Sequence, residues 1–173
     1  MDKIKHFAKE VVSTILIAGL ITLVLKSYIL DNRIIPSSSM YPTIYIGDMV
    51  LVNKFVYRFH TPERGDIIVF KPPAEVGQED LIKRVIGLPG ETVEIKDHLV
   101  YIDGKPLEEN YLNEAPQYTF GPVQVPQGRL FVMGDNRNMS FDSHLWPQPF
   151  LKVESVKGKA FFRYWPIKRI GRL

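Results

Sequence analysis

Residues 36–43 read Pro36-Ser37-Ser38-Ser39-Met40-Tyr41-Pro42-Thr43 and place three consecutive hydroxyl side chains between two prolines. Proline fixes φ and disfavours a helical conformation in the residue before it, so we expect this segment to be a rigid, extended loop. A rigid loop can hold a nucleophilic side chain at the angle that attack requires. The alternative is a serine-rich linker between an anchor and a domain, and composition alone favours the linker.

An apolar run, VVSTILIAGLITLVL over residues 11–25, precedes this loop and is flanked by lysines on both sides. The run is shorter than the roughly 20 residues of a membrane-spanning helix. The segment from Lys9 to Leu30 is long enough if Lys26 extends its charged end to the interface. A cleavable signal peptide would need small residues around a cleavage site, and residues 26–29 do not supply a good one. We therefore predict that residues 11–30 form one transmembrane helix, an uncleaved signal anchor.

The charges around the apolar run predict its orientation. Lysines beside a membrane span favour the cytoplasmic side, so residues 1–10 are expected to be a short cytoplasmic N-terminus. Residues 31–173 would then form an extracytoplasmic domain on a single-pass protein of the cell membrane. The net charge of +3 also suits contact with anionic membrane lipid.

Beyond residue 31 the sequence consists of short apolar runs bounded by turn residues. The clearest runs cover residues 49–53, 67–70, 92–95, 99–102, 130–133 and 160–165. Runs of this length between Gly, Pro and Asp predict β-strands, and no long amphipathic helix pattern follows the anchor. We predict a mainly β protein, with one N-terminal transmembrane helix followed by an all-β, barrel-like domain. The segment from Glu108 to Gln127, with three prolines, is expected to be a surface excursion.

Composition narrows the possible chemistry. The chain of 173 residues is long enough for one domain with a substantial core, and it has no cysteine, which excludes disulfides and thiolate chemistry. Its four histidines lack the spacing of a metal site, so we expect neither a metal nor another cofactor. Basic and aromatic residues alternate over residues 157–172. For an outward-facing domain this pattern favours lipid headgroups over nucleic acid as the partner.

Residues 81–90 read LIKRVIGLPG and place Lys83 inside an apolar strand. Lysine usually lies exposed, so a solvated strand face is the simplest interpretation. Burial would instead lower the pKa of the amine from about 10.4, in extreme cases to about 5–6. A neutral amine can take the proton of a serine hydroxyl, and Ser-Lys pairs are a known variant of the serine-protease triad. Lys83 is therefore a candidate general base.

A third polar segment, GDNRNMSFDS over residues 134–143, follows an apolar strand. It is either a turn whose side chains cap their own backbone or a set of groups that orient the base. His144 comes next, so a Ser-His-Asp triad with Asp142 is conceivable. Histidines that only pack or hydrogen-bond are commoner.

Together these segments resemble one family, the bacterial type I signal peptidases, membrane-bound serine proteases that remove signal peptides. The resemblance covers nearly the whole chain. Its motifs, in the family's order, are the single anchor, SSMYPT at residues 38–43, RGD at 64–66, KRVIGLPG at 83–90, GDNR at 134–137 and FFRYWP at 161–166. One motif of this size can arise by chance, whereas five sequence motifs in order after the anchor are a specific signal.

The resemblance implies roles for the residues that match the family's motifs. Ser39 would be the nucleophile and Lys83 its general base. The hydroxyl of Ser37 would help the backbone N–H of Ser39 to stabilise the oxyanion. Removal of one such donor typically costs about 10²–10³ in rate.

The resemblance also implies a supporting set of residues around the catalytic pair. Ser140 would hydrogen-bond the lysine, Asp142 would support the region around it, and Met40 would line the buried site that keeps Lys83 neutral. The family commonly has arginine where this chain has His144. The partner of Asp142 is therefore expected to be His144 or Arg137.

The implied function is that of a membrane-anchored serine endopeptidase, with residues 31–173 as its peptidase domain. It would cleave N-terminal signal peptides from exported preproteins after small residues, at Ala-x-Ala sites, with the substrate bound extended and the enzyme acting as a monomer. Two alternatives stay open: a specialised Ser-Lys processing peptidase with few substrates, and a catalytically silent membrane-anchored binding module. Self-cleaving repressor proteases also use Ser-Lys chemistry, but the anchor and the lack of a DNA-binding helix pair argue against them.

Overall fold

The computed structural model describes residues 2–24 and 29–173. Within these ranges it contains one α-helix, α1 (Asp2–Val24), and twelve β-strands, which confirms a mainly β fold with one helix. The strands are β1 (Leu30–Ile34), β2 (Met49–Asn53), β3 (Ile67–Phe70), β4 (Leu81–Gly87), β5 (Thr92–Lys96), β6 (Leu99–Ile102), β7 (Lys105–Pro106), β8 (Phe120–Gln124), β9 (Arg129–Met133), β10 (Leu151–Lys152), β11 (Val156–Trp165) and β12 (Gly171–Arg172).

The helix α1 covers only part of the predicted anchor. It ends at Val24, and residues 25–28 of the predicted span lie outside the described residues. Among the described residues, no helix is both long enough and apolar enough to cross a membrane. The described residues therefore do not support the predicted transmembrane helix over residues 11–30.

Eight strands form the larger sheet, in the order β1-β2-β11-β3-β4-β9-β10, with β12 pairing onto β11. Neighbouring strands are antiparallel throughout. The order has two ends, β1 and β10, so this sheet is open. That corrects the barrel-like arrangement expected from the short strands.

The smaller sheet has the order β7-β6-β5-β8. Its last strand lies in the segment from Glu108 to Gln127 that was predicted as a surface excursion, with Val93 paired to Val123. The prediction is therefore wrong for residues 120–124. The Gly121-Pro122 pair in that strand concealed the strand signal, since both residue types are depleted in strands.

The two sheets are joined by a shared hydrophobic cluster. Its buried members are Ile86, Val93, Ile95, Val100, Ile102, Val125, Phe131 and Met133. Gly87, at the end of β4, lies at the closest approach, because a Cβ there would be 2.6 Å from Val93 Cγ2 and 3.0 Å from Phe131 Cβ. The absence of a side chain at this position allows β4 to pack directly on the smaller sheet.

The larger sheet brings three polar segments to one place. β1 leads into the loop of residues 35–48, which is closed at its base by a 2.9 Å hydrogen bond from the Ile35 N–H to the Asp48 carbonyl oxygen. Lys83 lies in the interior strand β4, and β9 leads into residues 134–146. Residues 35–48, the serine loop, and residues 134–146, the polar loop, therefore both lie beside Lys83.

The junction of the two sheets yields a stability prediction. Phe131 is fully buried there, and the loss of a buried aromatic ring typically costs about 3–5 kcal/mol. We expect Phe131→Ala to lower the free energy of unfolding by that amount in urea titrations. The control is Leu99→Ala on the exposed surface of β6, which should change it by about 0.5 kcal/mol at most. Equal effects of the two substitutions would show that the junction does not stabilise the fold.

Candidate active site

Ser39 and Lys83, far apart in sequence, are in direct contact. Lys83 Nζ donates a hydrogen bond of 2.6 Å to Ser39 Oγ. Both side chains are buried, with 7% of Ser39 and 4% of Lys83 exposed. A lysine amine this poorly solvated, beside a single hydroxyl, is the arrangement that proton transfer from serine requires.

Burial changes the acidity of the lysine. Desolvation lowers the pKa of Lys83 from 10.5 to about 8, although the negative charges of Asp142 and Asp135 act in the opposite direction. The loss of hydration is the larger effect because only 4% of the Lys83 side chain is exposed. A substantial fraction of the amine is therefore neutral at mildly alkaline pH, and a neutral amine can act as a base.

The serine loop also presents groups suited to binding an oxyanion. Ser37 Oγ lies 3.3 Å from Ser39 Oγ, and either hydroxyl can be the donor. A turn follows, in which the Tyr41 N–H donates to the Ser38 carbonyl oxygen at 3.0 Å. Among the described residues no acceptor faces the Ser39 N–H. In that part of the chain this N–H has no other acceptor, and the Ser37 hydroxyl, whose contact here is Ser39 Oγ itself, is close enough to join it in binding a developing negative charge.

Asp142 is fully buried behind this pair, and its two oxygens have different partners. Oδ2 accepts a hydrogen bond of 2.8 Å from the Gly134 N–H, and Oδ1 lies 2.7 Å from His144 Nδ1. The His144 ring stacks on Tyr118 with centroids 4.0 Å apart. Of the two candidate partners of Asp142, the structure therefore selects His144. Ser39 is hydrogen-bonded to Lys83 and not to His144, so no Ser-His-Asp triad is formed.

Ser140 lies close to the pair without bonding to it. Its side chain is buried, and its Oγ has no hydrogen-bond partner in the described part of the chain. The predicted bond from Ser140 to Lys83 is thus not formed in this structure. Ser140 instead packs over Gly134, where a Cβ would overlap both Ser140 Oγ and the Ser39 carbonyl oxygen. Glycine at position 134 is what lets these two serines approach each other.

Met40 lies in the core beneath the serine loop, and its predicted role in lining the buried site around Lys83 stays a prediction. Its side chain is fully buried in the cluster beneath the loop, with Ile35 and Ile44 among its neighbours. It does not line the cleft at Ser39. An apolar side chain at this position is stabilised by turning into the core.

A buried ion pair that the sequence analysis missed ties the three segments together. Arg84 Nε donates to Asp135 Oδ1 at 2.8 Å, and a terminal nitrogen of Arg84 donates to Oδ2 at 2.6 Å. Thr43 Oγ1 donates to the same Oδ2 at 2.5 Å. The only local signal was a second charged residue beside Lys83 in an apolar strand, and no sequence pattern identified its partner.

A second buried pair attaches the segment after β7 to the polar loop. Two nitrogens of Arg137 donate to the carboxylate of Glu109 at 2.6 and 2.7 Å, and Arg137 Nε donates to the Gly134 carbonyl oxygen at 3.1 Å. The Arg84 guanidinium lies over the ring of Tyr111, with 3.9 Å between Arg84 Cζ and the centroid of the Tyr111 ring. Glu109 was overlooked because a charged residue in a proline-containing excursion is normally solvated.

A cleft of about 350 Å³ opens beside the pair. Its polar lining includes residues 37–39, residues 78–79 and Lys83, while its apolar lining includes the exposed side chains of Met139 and Phe141. β4 pairs with β3 over residues 81–84 but with β9 only from Arg84 onward. Within the described residues, the second edge of residues 81–83 therefore has no strand partner, and it borders the cleft.

The described residues offer no metal site. No group of three or more His, Asp or Glu side chains among them is arranged to hold a metal ion.

Comparison with known proteins identifies the family. The model of the family described as signal peptidase, peptidase S26, matches residues 8–165, and the chain therefore belongs to this family. The resemblance to bacterial type I signal peptidases is confirmed, and with it the enzyme class: a serine endopeptidase that cleaves signal peptides.

Individual relatives agree with this assignment. The probable signal peptidase I-1 of a Synechocystis species is 47% identical over 175 residues, which cover 97% of this chain and 88% of the relative. Signal peptidase I of Leptolyngbya laminosa is 43% identical over 95% of this chain and 83% of its own length. The crystal structure of a signal peptidase I from Enterococcus faecalis matches 58% of this chain and 97% of its own, with 40% identity and a TM-score of 0.50.

The buried amine leads to a prediction about stability. The pKa of Lys83 is about 8 in the folded protein and 10.5 without burial, so the unfolded chain binds more protons between these pH values. Stability should therefore rise with pH across that window. Below it the buried charge costs about 3 kcal/mol, since each pKa unit corresponds to about 1.4 kcal/mol. We expect Lys83→Met to be more stable than the wild type at pH 6–7, by up to that amount.

Urea unfolding at a series of pH values measures this difference. The gain from Lys83→Met should shrink as the pH rises from 8 towards 10.5. Lys105→Met, at an exposed position, is the matched control and should give no pH-dependent gain. If the gain in the free energy of unfolding from Lys83→Met stayed constant with pH, burial would not be lowering the pKa of Lys83.

Proposed function

We propose that this chain removes signal peptides from exported preproteins by a Ser-Lys mechanism, with Ser39 as the nucleophile and Lys83 as the general base. The observation that carries the proposal is the buried 2.6 Å contact between Lys83 Nζ and Ser39 Oγ. The lowered pKa of Lys83 supports it, because the amine can be neutral under conditions in which an exposed lysine is charged.

The reaction begins with transfer of the Ser39 hydroxyl proton to neutral Lys83. Ser39 Oγ attacks the scissile carbonyl carbon, and the negative charge that develops on the carbonyl oxygen is bound by the Ser39 N–H and the Ser37 hydroxyl. The ammonium of Lys83 then protonates the leaving amine as the peptide bond breaks. Water, deprotonated by the regenerated amine, attacks the acyl carbon; the bond to Ser39 Oγ breaks, the Lys83 ammonium returns its proton to Ser39 Oγ, and the signal peptide is released.

Ser140 and Asp142 assist this cycle through Lys83 and the polar loop. The hydroxyl of Ser140 is buried and unpartnered, which suits it to accept a hydrogen bond from Lys83 when the amine becomes charged. Asp142 keeps the loop in place through the Gly134 N–H. Every group of the proposed reaction comes from one chain, which supports action as a monomer.

The substrate binds as an extra strand along the free edge of residues 81–83. In an extended peptide, alternate side chains point to the same side, so the residues one and three before the cut face the enzyme together. The cleft of about 350 Å³ beside Ser39 suits two small side chains on that side. This geometry supports cleavage at Ala-x-Ala sites.

We propose that residues 11–30 hold the protein at the cell membrane, with residues 1–10 in the cytoplasm and residues 31–173 outside. The support comes from α1, whose apolar side chains are exposed over its whole circumference. They are Val11, Val12, Ile15, Leu16, Ile17, Leu20, Ile21 and Leu23, each 41–67% exposed. A helix that is apolar all round is stable in lipid or in a protein core, and these side chains have no core around them. An anchor would keep the enzyme on the same surface as membrane-bound preproteins and raise their effective concentration.

The peptidase activity is tested with a model preprotein that carries an Ala-x-Ala site. The detergent-solubilised wild type should cut after the second alanine, as determined by mass spectrometry of the products. Ser39→Ala and Lys83→Met should lose at least about 10³ of kcat/KM while remaining folded, because each removes a group that the reaction requires. Ser37→Ala should lose about 10²–10³, since it removes one of two oxyanion donors.

Cleavage by folded Lys83→Met at near wild-type rates would disprove the assignment of the base. A loss of activity in His144→Ala together with retention in Lys83→Met would point to histidine instead. No cleavage by wild type across several preproteins would favour a binding module or a specialised peptidase.

Membrane attachment is tested by alkaline carbonate extraction of cell membranes. The wild type should stay in the pellet, whereas Leu16→Arg combined with Leu20→Arg should move into the supernatant. Each arginine at the centre of an apolar helix costs about 2.5–3.5 kcal/mol of insertion free energy. The control pair, Ile46→Arg with Leu99→Arg, places the same charges on exposed apolar positions of the β domain and should leave the protein in the pellet. Extraction of the wild type would contradict the anchor.

A further inference from the structure

His144 is held more tightly than a surface histidine. Its side chain is only 8% exposed, and Nδ1 lies 2.7 Å from Asp142 Oδ1. The backbone N–H of His144 also points to that oxygen, at 3.4 Å. The ring lies flat on Tyr118, with an angle of 7° between the ring planes. One face of the ring and one nitrogen are therefore fixed by defined contacts.

Asp142 connects this ring to the reacting groups. Its other oxygen accepts the Gly134 N–H at 2.8 Å, and Gly134 lies directly against the Ser39 carbonyl oxygen. The carboxylate charge also acts on Lys83, where it favours the protonated amine. A change at His144 therefore reaches Ser39 through three successive contacts, His144–Asp142, Asp142–Gly134 and Gly134–Ser39, and reaches Lys83 through the charge of Asp142.

We propose that His144 is a positioning residue that acts through Asp142: its Nδ1–H holds the carboxylate against Gly134, and the charge at position 144 sets how strongly Asp142 favours protonated Lys83. The inference rests on the proposed function of Ser39 and Lys83 and extends it. A neutral donor at position 144 leaves the Asp142 charge fully effective on the amine. A cation there offsets the charge and releases the proton of Lys83 more easily.

The groups around the ring support this assignment. Asp142 is the only ionised side chain bonded to His144 among the described residues. Burial raises the pKa of Tyr118, so the stacked phenol stays neutral. Arg137 and Glu109, which act on Tyr118 electrostatically, neutralise each other in their own ion pair. A charge introduced at position 144 therefore acts mainly on Asp142.

Three substitutions separate the hydrogen bond from the charge. His144→Gln keeps a neutral donor, His144→Arg keeps a donor and adds a permanent charge, and His144→Phe keeps the stacking on Tyr118 but removes the donor. The first readout is the titration of Lys83, followed by NMR in protein labelled with ¹³C-lysine. The Lys83 signal is identified by its absence from Lys83→Met. This readout needs no turnover.

We expect the midpoint of the Lys83 titration in His144→Arg to lie about 0.5–1 pH unit below that in His144→Gln, because a nearby positive charge disfavours the ammonium. His60→Arg adds the same charge at an exposed position and is the matched control. It should leave the midpoint within about 0.2 pH units of the wild type, in line with screening at the surface.

The second readout is turnover of the model preprotein. His144→Phe should lower kcat about tenfold with little change in KM, since loss of the hydrogen bond affects the positions of the reacting groups and not substrate binding. His144→Gln should restore kcat to within about threefold of the wild type. If the side chain at position 144 only filled space, the hydrogen-bond donor of His144→Gln would not recover the kcat that His144→Phe loses.

The outcomes separate this inference from the proposed function. Equal Lys83 midpoints in His144→Arg and His144→Gln would overturn the inference, even if the wild type cleaves preproteins. Separated midpoints without any cleavage would support the link from His144 to Lys83 and contradict the proposed reaction. If His144→Phe proves unfolded in thermal melts, the comparison of the arginine and glutamine variants still decides the question.

Discussion

The contact between the Lys83 amine and the Ser39 hydroxyl is the interaction on which the rest of the structure depends. An amine with only 4% of its side chain exposed loses most of its hydration, and this loss outweighs the attraction of two nearby carboxylates. The larger sheet contributes to the burial, because β3 pairs with β4 along residues 81–84 and the serine loop covers the amine through Ser39. By excluding water from the amine, the fold lowers the pKa of Lys83, as the proposed role of a general base requires.

The remaining polar residues hold the two loops against that strand. Arg84 and Asp135 join β4 to the loop after β9, and Thr43 brings the serine loop to the same carboxylate. Asp142 holds the turn at Gly134 from behind. These charges are buried and paired, and removal of one partner would leave an uncompensated buried charge that typically costs 3–5 kcal/mol. Catalytic geometry and stability are therefore coupled in this region.

Much of the fold could be predicted from local sequence patterns, because most strands are short apolar runs between turn residues. The strand β1 was missed since its sequence, LDNRI, is mostly polar and only half-buried. The pairing of Ser39 with Lys83 came from the family resemblance, and the sequence alone could not have placed them 2.6 Å apart. The ion pair of Glu109 with Arg137 joins residues 28 positions apart, and no local pattern records such a contact.

The pH dependence of kcat/KM for preprotein cleavage tests the central claim most directly, because it reports the ionisation of groups in the free enzyme. The activity should rise with pH through a midpoint near 8, the pKa of buried Lys83. The activity of an enzyme whose base is an imidazole should instead rise near about 6.5, the usual pKa of histidine. A midpoint near that lower value, or activity that does not change between pH 6 and 9, would contradict the role of Lys83 as the base.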